Sequence, residues 1–176
     1  MQDQLIQTLT DLVQINSVNP DLSNDGQGER EIAEYVQRHF QGLGIPSNVH
    51  TVKNDRCNTT AFIIGKNPNK ILLMNGHLDT VGIEGMDKPF TIRKDGDKLY
   101  GRGTYDMLAG CAIQMGLATY FAENSSPISL AFTFVADEEN LSTGMENLVS
   151  HFLTSLPTKP FLGIFMEPTE EAIGIS

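Results

Sequence analysis

The chain has 176 residues, enough for one domain with a full hydrophobic core and too few for two comfortable ones. Its 22 acidic residues against 12 basic ones give a formal net charge of -10, which argues against nucleic acid as a partner, because phosphate binding requires a basic surface. No apolar run approaches the roughly 18 to 20 residues of a membrane span, and Met1-Gln2-Asp3-Gln4 lacks the basic start and apolar stretch of a signal peptide, so a cytoplasmic protein with no membrane partner is expected.

Leu5, Leu9, Leu12 and Val13 recur at helical spacing, as do Ile32, Val36, Phe40 and Leu43, with Gly42 and Gly44 closing the second segment. Two amphipathic helices therefore open the chain. Residues 16–28 between them are rich in Asn, Asp, Gly and Pro and predict an ordered surface connection. Strands are expected over Asn48 to Lys53, Thr60 to Ile64 and Lys70 to Met74, the last two separated by the turn residues Lys66-Asn67-Pro68-Asn69. The runs Ile71 to Met74, Ile128 to Ala136 and Phe161 to Met166 are apolar on both faces, the pattern of central strands covered by helices on each side. Asp106 to Phe121 is apolar nearly all round, as in a helix buried on a sheet, and a further helix is expected from Thr143 to Phe152. This alternation predicts an α/β layer fold with a mostly parallel central sheet. Cys57 and Cys111 are too few for a disulfide framework and have no neighbour at metal-ligand spacing, so both read as plain thiols.

In such sheets ligands bind beyond the carboxyl ends of the strands. His77 and Asp79 follow the expected strand ending at Met74, Asp137-Glu138-Glu139 follow the one ending near Ala136, and Glu167 follows the one ending at Met166. Asp106 opens the buried helix after the glycine-flanked turn Gly101-Arg102-Gly103. Any one of these acids alone would read as a helix cap or an exposed turn. Four segments delivering imidazole or carboxylate to one edge are different, because like charges so close repel unless a divalent cation, or two, sits among them. Mixed His and carboxylate ligands suit zinc and its first-row neighbours better than calcium or magnesium. Asp79, two residues beyond His77 on the same side of an extended segment, could accept the other ring N–H of the imidazole. The adjacent glutamates point in different directions, so one can bind metal while the other stays free as a general base.

Together these motifs resemble the M20 family of zinc exopeptidases and deacylases, the group of acetylornithine deacetylase, succinyl-diaminopimelate desuccinylase and glutamate carboxypeptidase. Gly76-His77-Leu78-Asp79-Thr80-Val81 is similar to that family's first signature, and Tyr100-Gly101-Arg102-Gly103-Thr104-Tyr105-Asp106-Met107 to its second. Asp137-Glu138-Glu139 and Met166-Glu167-Pro168-Thr169 are similar to the third and fourth. The resemblance implies a three-layer zinc-exopeptidase-like α/β fold, truncated here. It implies a di-zinc site, with Co2+ as a possible substitute, in which His77 and Glu167 bind one metal, Glu139 binds the other and Asp106 bridges both. Glu138 becomes the general base, Asp79 the residue that orients His77, and Asp106-Met107 a cis peptide.

The implied activity is hydrolysis of an amide bond in an N-acyl amino acid or small peptide, with the complete enzyme a homodimer. Leu108 stands where the family usually has Lys. The family's last His ligand comes from beyond an inserted lid and dimerisation domain; the chain is thus expected to be the N-terminal part of the catalytic domain, with little activity in isolation. His39, His50 and His151 have no motif around them. Two alternatives remain at this point: an M28-like aminopeptidase, which shares the His-x-Asp, Asp and Glu-Glu order, and a catalytically inactive metal-binding fragment.

Overall fold

A computed structural model describes residues 2–169 of the chain. Helices α1 (Gln2–Gln14) and α2 (Arg30–Gly42) come first, followed by strands β1 (Ser47–Lys53), β2 (Arg56–Ile63) and β3 (Asn67–His77). The short hairpin β4 (Arg93–Asp95) and β5 (Lys98–Tyr100) precedes α3 (Leu108–Glu123) and β6 (Ile128–Val135). A helical run then passes through α4 (Thr143–Asn147), a π-helical stretch (Leu148–Phe152) and α5 (Leu153–Ser155) before β7 (Leu162–Phe165).

Five strands form one sheet in the order β1-β2-β6-β3-β7. β6 and β7 run parallel to β3, whereas β2 is antiparallel to both β1 and β6, so four of the five strands point one way and β2 alone is reversed. The sheet is mostly parallel, as expected.

The period-two alternation of the central strands explains the layers. Met74 on β3 and Leu130, Phe132 and Phe134 on β6 join the core built with α1, α2 and α3. Ile71, Leu73 and Ala131 face the other way, against Phe62, Phe152, Leu153 and Leu156. One helical layer thus lies on each face. α3 shows no polar stripe because it is packed between the sheet and α1; where its Gly116 would carry a Cβ, Leu5 of α1 occupies the space. The interior centres on Phe40, which touches both Phe132 and Phe134 at ring-centroid distances of 5.3 and 5.9 Å.

Four expectations need correction. The turn foreseen at Lys66-Asn67-Pro68-Asn69 is mostly strand: β3 starts at Asn67, with a register shift against β6 between Asn67 and Ile71 that accommodates Pro68. The buried helix begins at Leu108, so Asp106 stands in the turn before it. Residues 16–28 are not only a surface connection, because Ser17, Val18 and Asn19 are fully buried and Val18 forms a parallel bridge to Thr80. Finally, Phe161 to Met166 does not form a covered strand. β7 pairs with β3 on one side and lies at the sheet edge, and Phe161, Leu162, Ile164 and Phe165 are 41 to 55% exposed. Its apolar run signals burial against a partner, but among the described residues nothing covers it.

Candidate metal centre

Because β3, β6 and β7 are parallel and nearly in register, their carboxyl ends open at one edge of the sheet. His77 is opposite Val135, and Asn75 is opposite Phe165. The segments that follow the three strands deliver Asp79, Glu138 with Glu139, and Glu167 to that edge.

His77 is the buried centre of the group, with 1% of its side chain exposed. Its Nε2 lies 2.9 Å from Asp106 Oδ1 and 3.8 Å from both Glu138 Oε2 and Glu167 Oε2. Ligand atoms of His77, Asp106 and Glu139 all fall within 4.8 Å of one another. Five of the six residues singled out in the sequence therefore bring an imidazole or carboxylate to one point. Asp106 reaches it from the turn before α3, across a cis Asp106–Met107 peptide. Gly76 lets that turn come close, since a Cβ there would lie 2.9 Å from Met107 Cε, and Gly110 does the same for the segment after β7, since a Cβ there would lie 2.6 Å from Met166 O.

Asp79 is placed otherwise than expected. The His77 Nδ1 lies 2.9 Å from the backbone carbonyl of Asp79, and the carboxylate is 3.6 Å away. That carboxylate is engaged elsewhere: Oδ1 accepts from the Glu138 N–H (2.9 Å), while Oδ2 accepts from the Glu139 N–H (3.1 Å) and the Asn19 amide (2.8 Å). Asp79 thus ties the β3 end to the turn carrying both glutamates.

The electrostatics are those of a crowd of anions around one imidazole. Burial works against a charge on His77, but Asp79, Glu167 and Asp106 outweigh it and push its pKa up to about 10. Burial, and then the neighbouring Asp106, raise Glu139 to about 6. Glu167 is raised by burial and by Asp106 and Glu138, despite the opposing pull of His77. The anionic surroundings thus favour positive charge at the centre of the cluster. One buried nitrogen and several half-exposed oxygens facing the same point form a donor set that fits a divalent metal cation.

Behind the site lies a polar layer that the sequence did not reveal. Glu29, Arg56, Asn19 and Asp137 are 0 to 6% exposed. Arg56 grips Glu29 through Nε and one terminal nitrogen and reaches Asp137 Oδ1 at 3.2 Å. Burial raises the Glu29 pKa even against that guanidinium. Asp137 is held low despite burial by Thr143, Asn19 and Arg56. Asn19 reads locally as a turn former and Arg56 as a surface cation; their partners are 60 to 118 and 27 to 81 residues away, so no short-range signal marks them.

The remaining histidines lie in other contacts. His39 Nε2 is 3.2 Å from the Met115 carbonyl, His50 Nε2 is 2.9 Å from Thr60 Oγ1, and His151 is exposed with Nδ1 near Asn147 O. Both cysteines are free and buried; the Cys111 thiol donates to the His77 carbonyl at 3.2 Å. Among the described residues no helix is long and apolar enough to cross a membrane.

The sequence model of the family described as Peptidase family M20/M25/M40 matches residues 73–176. An uncharacterized metallohydrolase of Methanocaldococcus jannaschii is 33% identical over 195 aligned positions, covering 98% of this chain and 47% of the relative. A probable succinyl-diaminopimelate desuccinylase of Staphylococcus aureus is 31% identical over 131 positions, covering 72% of this chain and 30% of the relative. The chain thus spans less than half the length of these curated relatives. In fold it is similar to an M20 family metallo-carboxypeptidase, Sso-CP2, of Sulfolobus solfataricus, with a TM-score of 0.79 at 20% identity over 93% of this chain and 37% of the other.

Proposed function

Since this chain belongs to peptidase family M20/M25/M40, we propose that it forms the metal-binding and water-activating part of a hydrolase that cleaves the amide bond of an N-acyl amino acid or small peptide. The observation that carries the reading is the convergence of His77, Asp106, Glu138, Glu139 and Glu167 at the carboxyl ends of parallel strands. His77 and Glu167 would hold one Zn2+, Glu139 the other, and Asp106 both. A cation pair supplies Lewis-acid polarisation of the scissile carbonyl and a lowered pKa for water.

The chain's own groups do the rest. Glu138, 43% exposed and with Oε2 3.8 Å from His77 Nε2, would take a proton from water and return it to the leaving amine. Its backbone N–H donates to Asp79 Oδ1, which fixes the turn that carries the side chain. The Asp79 carbonyl at Nδ1 sets the imidazole so that Nε2 faces the cation site.

Titration of the metal-free chain with Co2+ tests the metal reading. Visible absorption bands of the bound ion are expected, and His77→Ala removes them; binding unaffected by His77→Ala would overturn the assignment. Where hydrolysis of N-acyl amino acids is measurable, Glu138→Gln lowers kcat by about 10²- to 10⁴-fold and leaves Co2+ binding intact. A preference for peptides with a free N-terminus over N-acyl amino acids would point to an aminopeptidase instead.

A further inference from the structure

The turn carrying Glu138 and Glu139 leaves β6 through Asp137, whose φ of 61° lies in the left-handed region. Asp tolerates that conformation better than most residues but does not demand it, so the turn must be held by its surroundings. On one side the Asp137 N–H donates to Glu29 Oε1 (3.1 Å), and its Oδ2 accepts from the Thr143 hydroxyl (2.7 Å). On the other side the Asp79 carboxylate receives both glutamate N–H groups.

We propose that Asn19 is a positioning residue of the metal centre, its amide joining Asp79 to Asp137 and so setting the direction in which Glu138 and Glu139 reach the cation site. The inference rests on the metal-centre reading above. Asn19 is fully buried, 58 residues before His77 in sequence, and is brought in by the loop strand that bridges Val18 to Thr80. Its Nδ2 donates to Asp79 Oδ2 at 2.8 Å and to Asp137 Oδ1 at 3.1 Å. Its Oδ1 accepts from the Asp21 N–H at 3.0 Å, and its own N–H donates to Thr80 O at 2.8 Å. The amide orientation follows from the chemistry: two carboxylates offer only acceptors on one side, and a backbone N–H faces the other.

Both hydrogens of one amide are thus spent on two carboxylates that would otherwise repel across a dry gap. Without them Asp79 has a competing partner close by, because its Oδ1 is 3.6 Å from His77 Nδ1. A turn of the carboxylate toward the imidazole releases the Glu138 and Glu139 N–H groups. The glutamate pair then loses its fixed bearing, and the ring of His77 loses its hold on the Asp79 carbonyl. Groups that orient metal ligands in this way typically contribute about 10- to 100-fold in metal affinity.

The test compares Asn19→Leu, which is close in size but has no donor, and the milder Asn19→Ser, with Val36→Ala, a core change in α2. Co2+ affinity is measured from visible absorption on the folded protein, alongside thermal unfolding. Both Asn19 variants are expected to bind Co2+ about 10- to 100-fold more weakly, while Val36→Ala lowers the Tm and leaves the affinity unchanged. If Asn19→Leu does not fold, Asn19→Ser decides. Wild-type affinity in the Asn19 variants would overturn the inference while leaving the metal centre standing, as would an equal loss in Val36→Ala at a matched Tm. Absence of His77-dependent Co2+ binding in the wild-type chain would instead overturn the metal-centre reading and the inference with it.

Discussion

Replacing Arg56 with Met should be among the most destabilising single changes in this chain. The guanidinium is held by Glu29, Asp137 and Asp21, but these partners are not equivalent. Asp21 has 62% of its side chain exposed, so its ion pair contributes little, about 0.2–1 kcal/mol. Glu29 and Asp137 have side-chain exposures of 0 and 3%. Removal of the cation leaves two carboxylates facing each other out of water, and breaking such a buried network costs about 3–5 kcal/mol. For a chain of this size that corresponds to a fall in Tm of roughly 6 to 20 °C.

The loss should also depend on pH. Burial already holds the folded pKa of Glu29 above its unfolded value, and without Arg56 it rises further. A raised carboxyl pKa means that the fold favours the neutral acid, so stability is intact below the unfolded pKa and is lost as pH rises through the folded one. The deficit of Arg56→Met relative to wild type should therefore be smaller at pH 5 than at pH 8. Urea unfolding followed by circular dichroism at the two pH values measures both quantities. A loss below about 1 kcal/mol at pH 8, or one independent of pH, would refute the view that this layer is a buried, mutually dependent charge network.

Two further outcomes follow from packing and titration. Gly76→Ala would set a Cβ 2.9 Å from Gln114 Nε2 and Met107 Cε and 3.1 Å from Cys111 Sγ; a loss of about 1–3 kcal/mol in chemical unfolding is expected, with weaker Co2+ binding because β3 carries His77 directly beyond this residue. His39, half-buried against Met115 with its pKa lowered chiefly by desolvation, should make stability fall as pH drops from its unfolded value of about 6.5 toward the folded one. His39→Gln should flatten that part of the stability profile, and an unchanged slope would show that another group is responsible.

Much of the architecture is visible in local pattern. Leu9, Leu12 and Val13, and Ile32, Val36 and Phe40, mark the buried faces of α1 and α2 because a helix repeats its face every three or four residues. Ile71 to Met74 and Ile128 to Val135 mark central strands, since both faces are covered by helices. No local pattern marks the hairpin β4 and β5: Arg93–Asp95 and Lys98–Tyr100 are three residues each and largely exposed, too short for an alternation to show. The edge position of β7 was hidden for the opposite reason, because Leu162–Phe165 has the composition of a covered strand.

The same division runs through the candidate site. His77, Asp106, Glu138, Glu139 and Glu167 could be picked out along the chain because each stands at or just after a strand end or a glycine turn, and ligands gather at the carboxyl ends of parallel strands. What the sequence by itself determined was therefore the inventory of ligand-type side chains and the edge to which they are delivered. Tertiary structure alone decided that the His77 ring meets the Asp79 carbonyl, that the Asp79 carboxylate turns to Glu138 and Glu139, and that Asn19, Glu29 and Arg56 stand behind them. The physical reason is range: strand and helix patterns are set within a few residues, whereas a buried polar group must find its hydrogen-bond partner wherever the fold brings one, here as many as 118 residues along the chain.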